Sequence, residues 1–143
     1  QVTNAANLGL DLLKPALDAM VAAGHDHGGP TIFPPWVTPE NPGGKRWGQG
    51  CLLDAPRQGV AHTFVADVSG LKRVELVLRT TAGESRLAMR NQGPYSTQTG
   101  ARMTADFFTA DLPVGAGDVR YFIEAEDRRG NVARGALERI WLA

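Results

Sequence analysis

The side chains that could carry chemistry in this sequence include three histidines and a single cysteine, and their spacing limits what they can do. His25 and His27 stand two residues apart in GHDHGG and could supply two metal ligands. A zinc site takes three or more ligands from protein, and the sequence shows no further ligand beside this pair. We therefore keep His25 and His27 only as secondary metal candidates, and we predict a solvated turn, no metal and no cofactor.

Nucleophilic catalysis has little support in the motifs. Cys51 lies in GQGCLLD with no histidine near it in sequence, although a contact with His62 in space stays open. Neither a G-x-S-x-G elbow nor a G-x-x-x-x-G-K-[ST] phosphate loop is present. We predict that this chain alone is not an enzyme, has no catalytic residue, and uses Cys51 as a small apolar side chain.

Four aspartates near the ends of predicted strands could supply oxygen ligands to calcium. The spacing D-x-D-x-D-G of a calcium loop is absent, so turn capping is the role that we predict for them. They are Asp106, Asp111, Asp118 and Asp127.

Three aromatic residues are the candidates for binding. Trp36, Trp47 and Tyr95 lie in Pro/Gly-rich or polar surroundings, and a flat ring can stack on the C–H face of a sugar. The alternative is that large aromatics anchor the Pro/Gly-rich stretch onto the rest of the fold. We predict that Phe33 and one tryptophan, Trp36, are buried anchors, and that Trp47 stays partly exposed as the glycan contact. Trp141, in the last apolar run, is predicted to belong to the core.

Composition bounds the class of protein. The chain has 143 residues, enough for one real core, and its 15 basic and 15 acidic residues cancel. A balanced charge lacks the basic footprint of nucleic-acid binding or of attachment to an anionic membrane, so neither partner is expected. The sequence begins at Gln1 without a methionine, which fits either a processed protein or a piece of a longer one.

Three segments follow one another along the chain. We predict an amphipathic helix within residues 1–24, a Pro/Gly-rich connector over residues 25–56, and a β-sandwich domain over residues 57–143. The helix carries an apolar stripe that we expect to cover the sandwich or a partner. This stripe consists of Leu13, Leu17, Met20 and Val21. The connector is too long for an ordinary loop and contains restricted proline φ angles, so it can lie as an extended strap across a sheet.

Short alternating runs separated by turn residues predict the strands of the sandwich. The runs are VAHTFVADVSG, LKRVELVLRTT, SRLAM, ARMTADFFTADL, DVRYFIEAED and ALERIWL. In EDRRGN, Asp127 can accept hydrogen bonds from nearby amides, and Gly130 can supply a positive φ, which predicts a hairpin. LPVGAGD is predicted to pass from one sheet to the other. Six or seven strands at this spacing favour an antiparallel sandwich.

The segments FVADVSGLKRVELVLR and FFTADLPVGAGDVRYFIEAEDRRGNVA resemble immunoglobulin-like or fibronectin type III-like domains attached to secreted bacterial enzymes. A helix, then GPTIFPPWVTPENPGG, then such a sandwich is similar in order to the region after the catalytic domain of polysaccharide-degrading enzymes resembling glycoside hydrolase family 57. These resemblances imply a secreted or periplasmic, noncatalytic accessory module. Its partner would be a polysaccharide such as an α-glucan, or a neighbouring catalytic domain. The alternatives are a structural spacer that packs on a neighbouring domain or subunit, and a small metal- or thiol-dependent enzyme.

Overall fold

Alternating apolar residues build a mainly β fold, as the sequence predicts. The computed structural model describes residues 15–20, 22, 24, 26–40, 42, 43, 46, 47, 51, 52, 58–95 and 105–142, with the backbone alone at 46, 47, 51, 52 and 95. In chain order, its strands are β1 (Thr31–Ile32), β2 (Trp36–Thr38), β3 (Arg46–Trp47), β4 (Cys51–Leu52), β5 (Val60–Ala66), β6 (Leu71–Thr80), β7 (Gly83–Ala88), β8 (Arg90–Tyr95), β9 (Ala105–Asp111), β10 (Gly117–Asp127), β11 (Val132–Arg134) and β12 (Glu138–Leu142).

Two antiparallel sheets contain most of these strands. The first has the order β1-β5-β9-β8, and β2 pairs with β5 further along the same edge as β1. The second has the order β11-β10-β6-β7, and β12 shares an edge of β10 with β11. Strands β3 and β4 pair with each other. Residues 112–116 lead from β9 to β10, so the predicted passage of LPVGAGD between the sheets is confirmed.

The core lies between the two sheets and is filled by alternate residues of the four central strands. In both β6 and β10, the alternating apolar residues of one face point inward. Buried core residues include Ala61 and Val65 from β5, Val74, Leu76 and Leu78 from β6, Phe108 and Ala110 from β9, and Val119, Tyr121, Ile123 and Ala125 from β10. The prediction for Trp141 is wrong, because Trp141 is half-buried opposite Asp118 while its neighbour Leu142 enters the core.

Strand β5 places its smaller side chains inside. Ala61, Thr63 and Val65 are buried, whereas His62 and Phe64 are half-buried on the other face. The pairing with β9 sets Thr63 opposite the buried Phe108. A small residue facing a large one fills the layer between the sheets, and the larger rings of β5 are left on the outer side of the first sheet.

We call residues 26–38 the strap, because they run along the free edge of β5 and include β1 and β2. Ile32 pairs with Val65 and Val37 pairs with Ala61, and both pack against the core. The predicted anchors are wrong: Phe33 is 44% exposed and Trp36 is 38% exposed. The register explains the error, since it turns the two aliphatic residues inward and sets Trp36 beside the outward-facing His62.

The described helical residues are 15–20 and 22. Leu17 is half-buried, but Met20 is 51% exposed, so the sandwich does not cover this part of the predicted stripe. Leu13 and Val21 lie outside the described residues. Within the part of the chain that the structure describes, no helix has the length and the apolarity needed to cross a bilayer.

The predicted hairpin between β10 and β11 is confirmed. Gly130 has a φ of +89°, and its amide donates to the Asp127 carbonyl over 3.2 Å. The Asp127 carboxylate accepts from the amides of Arg129 and Asn131 at 2.8 and 2.9 Å. Asp127 is therefore the turn cap that its sequence position predicts.

We expect Gly130→Val to lower the free energy of unfolding by about 1–2 kcal/mol, the cost of a left-handed backbone for a residue with a Cβ. A Cβ at Gly130 would meet nothing within 4 Å, so the loss comes from backbone strain without a clash. Gly130→Asn should cost less, because asparagine tolerates this conformation. Urea unfolding of both variants checks the difference, and equal stabilities would contradict it.

Candidate functional site

A group of five contacting rings lies on the outer face of the first sheet. We call it the aromatic patch. It contains Phe33 and Trp36 from the strap, His62 and Phe64 from β5, and Phe107 from β9. The pairing register brings them together, since Trp36 lies opposite His62 and Phe64 lies opposite Phe107.

Trp36 lies against three rings at once. Its ring centroid is 5.2 Å from that of His62 and 5.9 Å from that of Phe107, with interplanar angles of 14° and 20°. The Phe64 centroid is 5.5 Å away at 34°. His62 and Phe107 are themselves nearly parallel, at 5.6 Å and 7°. One side of the indole is thus supported by neighbouring rings, while 38% of the residue remains open to solvent.

These contacts fix the orientation of the indole before any ligand arrives. Each aromatic pair is worth about 0.5–1.5 kcal/mol beyond the area that it buries. Phe33 adds an edge contact to Phe64, with centroids 6.4 Å apart and planes at 87°. Because the rings are already ordered, a ligand that stacks on Trp36 loses little extra entropy from the protein side.

His62 is the polar member of the patch. Its Nε2 forms a 2.6 Å hydrogen bond with the Thr38 hydroxyl, while its Nδ1 is enclosed and has no hydrogen-bond partner among the described residues. Burial lowers the pKa of His62 below its ordinary value of 6.5. The imidazole is therefore neutral at pH 7 and stacks as an uncharged ring.

Polar side chains border the patch on the side of β8 and β9. Gln92 Nε2 donates to Thr109 Oγ1 at 3.0 Å, and Thr109 lies opposite His62. Arg90 forms an ion pair with Asp111, with Nη2 and Oδ1 3.2 Å apart. The charges at this border are therefore balanced, and the amide and carboxylate groups can still exchange hydrogen bonds with a bound molecule.

The outer face of the second sheet has a different character, because ion pairs cover it. The buried Glu124 accepts from Arg73 at 2.9 Å, Arg86 at 3.0 Å and Arg134 at 2.8 Å. Burial alone would raise the pKa of Glu124, but these hydrogen bonds outweigh burial and lower it from 4.5 to about 2. The charges of Glu124, Arg73, Arg86 and Arg134 are therefore engaged with one another within the protein.

A groove of about 550 Å³ lies beside β6, next to the residues that join β7 and β8. Met89 and Phe108 line its apolar part, and Lys72, Arg73 and Glu75 line its charged part. Lys72 is paired with Glu126, and Arg73 with Glu75 and Glu124. The charged groups of the groove thus already have partners within the protein.

Three carboxylates meet where the strap begins. Asp26, Asp67 and Asp127 offer oxygens that all lie within 4.8 Å of one another. Ser69 Oγ donates to the Asp26 carboxylate, and the Asn131 side chain donates to Asp127 Oδ2 at 2.9 Å and to the Asp26 carbonyl at 3.2 Å. These bonds hold together the strap, the β5–β6 turn and the β10–β11 turn. We call the three carboxylates the acidic clip.

The other aspartates considered for calcium are separated in the fold, so the four do not form one site. Asp106 accepts from Asn91, Asp111 pairs with Arg90, and Asp118 pairs with Arg139.

The aromatic candidates predicted from sequence have different outcomes. Trp36 is in the aromatic patch. Trp47 lies opposite Cys51 in the β3–β4 pair, and Tyr95 lies opposite Ala105 at the end of β8. The side chains of Trp47, Cys51 and Tyr95 lie outside the description.

Of the two histidine candidates, His25 lies outside the described residues. His27 is exposed and is not one of the residues grouped with Asp26, Asp67 and Asp127. Sequence reasoning missed His62, Phe64 and Phe107 as site residues. The sequence does place these three large side chains on one alternating face of β5 and β9. It does not indicate whether that face points outward or into the core.

No protein-family model matches this chain, and no curated protein is significantly similar to it in sequence.

Proposed function

We propose that this chain is a noncatalytic accessory module of a carbohydrate-active protein, and that it binds a glycan on the aromatic patch. The observation that carries the proposal is the partly exposed Trp36, held against His62, Phe64 and Phe107. A rigid indole with one supported side is the arrangement that suits stacking on the apolar face of a pyranose ring.

An uncharged glycan fits this surface better than an anionic one. The Arg90 guanidinium at the border of the patch is engaged by Asp111, and His62 is neutral at pH 7. An anionic sugar would need a cation that is free to pair with it. A neutral sugar needs hydrogen-bonding groups near a stacking ring. Thr38 and Thr109 lie beside His62, which stacks on Trp36, and Gln92 is bonded to Thr109.

The remaining parts of the proposal rest on the resemblance to immunoglobulin-like and fibronectin type III-like accessory domains. Trp47 and Tyr95 are further candidate contacts for a longer glycan such as an α-glucan. The chemistry would belong to a neighbouring catalytic domain, and the module would work in a secreted or periplasmic protein.

Substituting Trp36 by alanine tests the central contact. Native gels that contain soluble α- or β-glucans should retard the unmodified protein, and Trp36→Ala should lose most of this retardation because the stacking surface is gone. Leu137→Ala is the matched control, since Leu137 is 50% exposed but lies outside the patch, between β11 and β12. It should be retarded like the unmodified protein.

Two results would reject glycan binding at this site. One is the absence of retardation by every glucan in the panel, and the other is equal retardation of Trp36→Ala and the unmodified protein. The alternative would then be a structural spacer. The spacer is the second candidate function because Phe33 is 44% exposed, and a phenyl ring without polar groups suits packing against a neighbouring domain.

A further inference from the structure

We propose that the aromatic patch is controlled by pH: neutral His62 supports Trp36, and protonation of His62 in mild acid releases Trp36 and the strand β2 from the sheet. The ligand consequence rests on the proposed glycan binding, since a displaced Trp36 would no longer offer an ordered stacking surface. The structural consequence stands without it.

The geometry leaves no good place for a second proton on His62. Its Nε2 is already joined to the Thr38 hydroxyl, and its Nδ1 is enclosed without a partner among the described residues. Protonation makes both ring nitrogens donors. An enclosed N–H and its charge need an acceptor or water, and displacement of the Trp36 ring, which stacks on the imidazole at 5.2 Å, would open the imidazole to water.

The groups that face His62 do not compensate the charge. From β2, the facing residues are Trp36 and Thr38, and neither is charged. Along β5, the neighbours on the same face are Val60 and Phe64. Aromatic faces attract a cation by about 0.5–2 kcal/mol, whereas burial of the imidazole favours its neutral form.

The side of β9 and β8 gives the same result. From β9, Phe107 and Thr109 approach His62, and the nearest carboxylate along this strand is Asp111, opposite Val60. Asp111 is engaged by Arg90 of β8. No described carboxylate is therefore free to pair with an imidazolium at this position.

The direction of the pH effect follows from the lowered pKa. In the unfolded or released state His62 titrates near its ordinary pKa of 6.5, whereas the packed state binds the proton more weakly. The packed arrangement is thus fully stable above about pH 6.5 and loses stability as the pH falls toward the packed-state pKa. Strand β2 is three residues long, so the loss of the contacts of Trp36 removes a large part of what holds β2 on β5.

The test follows His62 and Trp36 by NMR between about pH 8 and about pH 4, without glycan, in the unmodified protein and in His62→Phe. Phenylalanine keeps a ring under Trp36 but cannot be protonated. In the unmodified protein we expect the His62 ring to titrate below 6.5 and the Trp36 indole resonance to shift with the same midpoint. In His62→Phe the Trp36 resonance should show no such midpoint.

The proposal is overturned if Trp36 does not respond when His62 titrates, or if it responds equally in His62→Phe. A second arm compares glucan retardation at about pH 7.5 and about pH 5 within each protein, where we expect a several-fold loss for the unmodified chain and a ratio near one for His62→Phe. If neither protein is retarded at any pH, the proposed glycan binding fails, and the NMR arm still decides the pH control.

Discussion

Replacing Glu124 by alanine is expected to lower the free energy of unfolding by about 3–4 kcal/mol at pH 7, because three guanidinium groups lose the buried carboxylate that joins them. Arg73, Arg86 and Arg134 all donate to Glu124 from three different strands of the second sheet. After the substitution these cations face one another across a small buried gap. Urea unfolding measured by circular dichroism checks the loss.

The pH dependence of Glu124 has a definite sign. Its pKa falls from 4.5 to about 2 in the folded protein, so it contributes stability that is present above about pH 4.5. That contribution disappears as the pH falls through about 2, because below this pH the carboxylate is protonated in both states. The difference in stability between the unmodified protein and Glu124→Gln should therefore shrink steadily between about pH 5 and about pH 2.

Glu84→Gln is the matched control for the loss of stability at pH 7. Glu84 also pairs with Arg86, but its side chain is exposed, so its removal should cost less than about 1 kcal/mol. Equal losses for the variants at Glu84 and Glu124 would mean that the network is a set of ordinary surface pairs. A pH-independent Glu124→Gln difference would contradict the lowered pKa.

The fold was predictable where alternation was strong. In β6 and β10, branched or aromatic residues alternate with charged ones, and only one face of each strand could enter a core. Strand β8 was missed because RNQGPY contains Gly93, with a φ of +102°, and Pro94, which both signal a turn. The pairing of β8 with β9 shifts register between Asn91 and Pro94, so an irregular edge strand accommodates both.

The site was less predictable than the fold. Both faces of β5 carry apolar residues, so the sequence could not say whether His62 and Phe64 or Ala61 and Val65 would be inside. That choice depends on which side chains of β6, β9 and β10 fill the opposite layer. The strap had the same difficulty, because burying Ile32 and Val37 requires the register with β5, and the register then exposes Trp36.

The acidic clip was not predictable from spacing at all. Asp26 and Asp67 are about 40 residues apart in the chain, and Asp67 and Asp127 about 60. They meet only because two turns and the strap reach the same end of the sandwich. Sequence reasoning identified Asp127 as a turn cap from its local pattern. Its two carboxylate neighbours come from long-range topology, which local patterns do not encode.

The clip contains two aspartates whose pKa values shift in opposite directions. Burial would raise the pKa of Asp127, but hydrogen bonds from Asn131 and Arg129 outweigh burial and lower it. Burial raises the pKa of Asp67, and the charges of Asp26 and Asp127 raise it further. The hydrogen bond from the Ser69 amide lowers it, but by less than these effects raise it. At pH 7 the ionised Asp127 therefore stabilises the fold, whereas the ionised Asp67 destabilises it.

We accordingly expect Asp127→Asn to lower the free energy of unfolding by about 2–3 kcal/mol at pH 7, since buried donors lose a charged acceptor. Asp67→Asn should raise it slightly, by less than about 1 kcal/mol, because it removes repulsion while an amide oxygen can still accept from Ser69. The contribution of Asp127 should vanish as the pH falls below its ordinary value of 3.8 and through its folded value, whereas the cost of Asp67 should fade as acid protonates it. Urea unfolding at several pH values measures the two effects separately. A loss of stability in Asp67→Asn, or an unchanged stability in Asp127→Asn, would contradict these assignments.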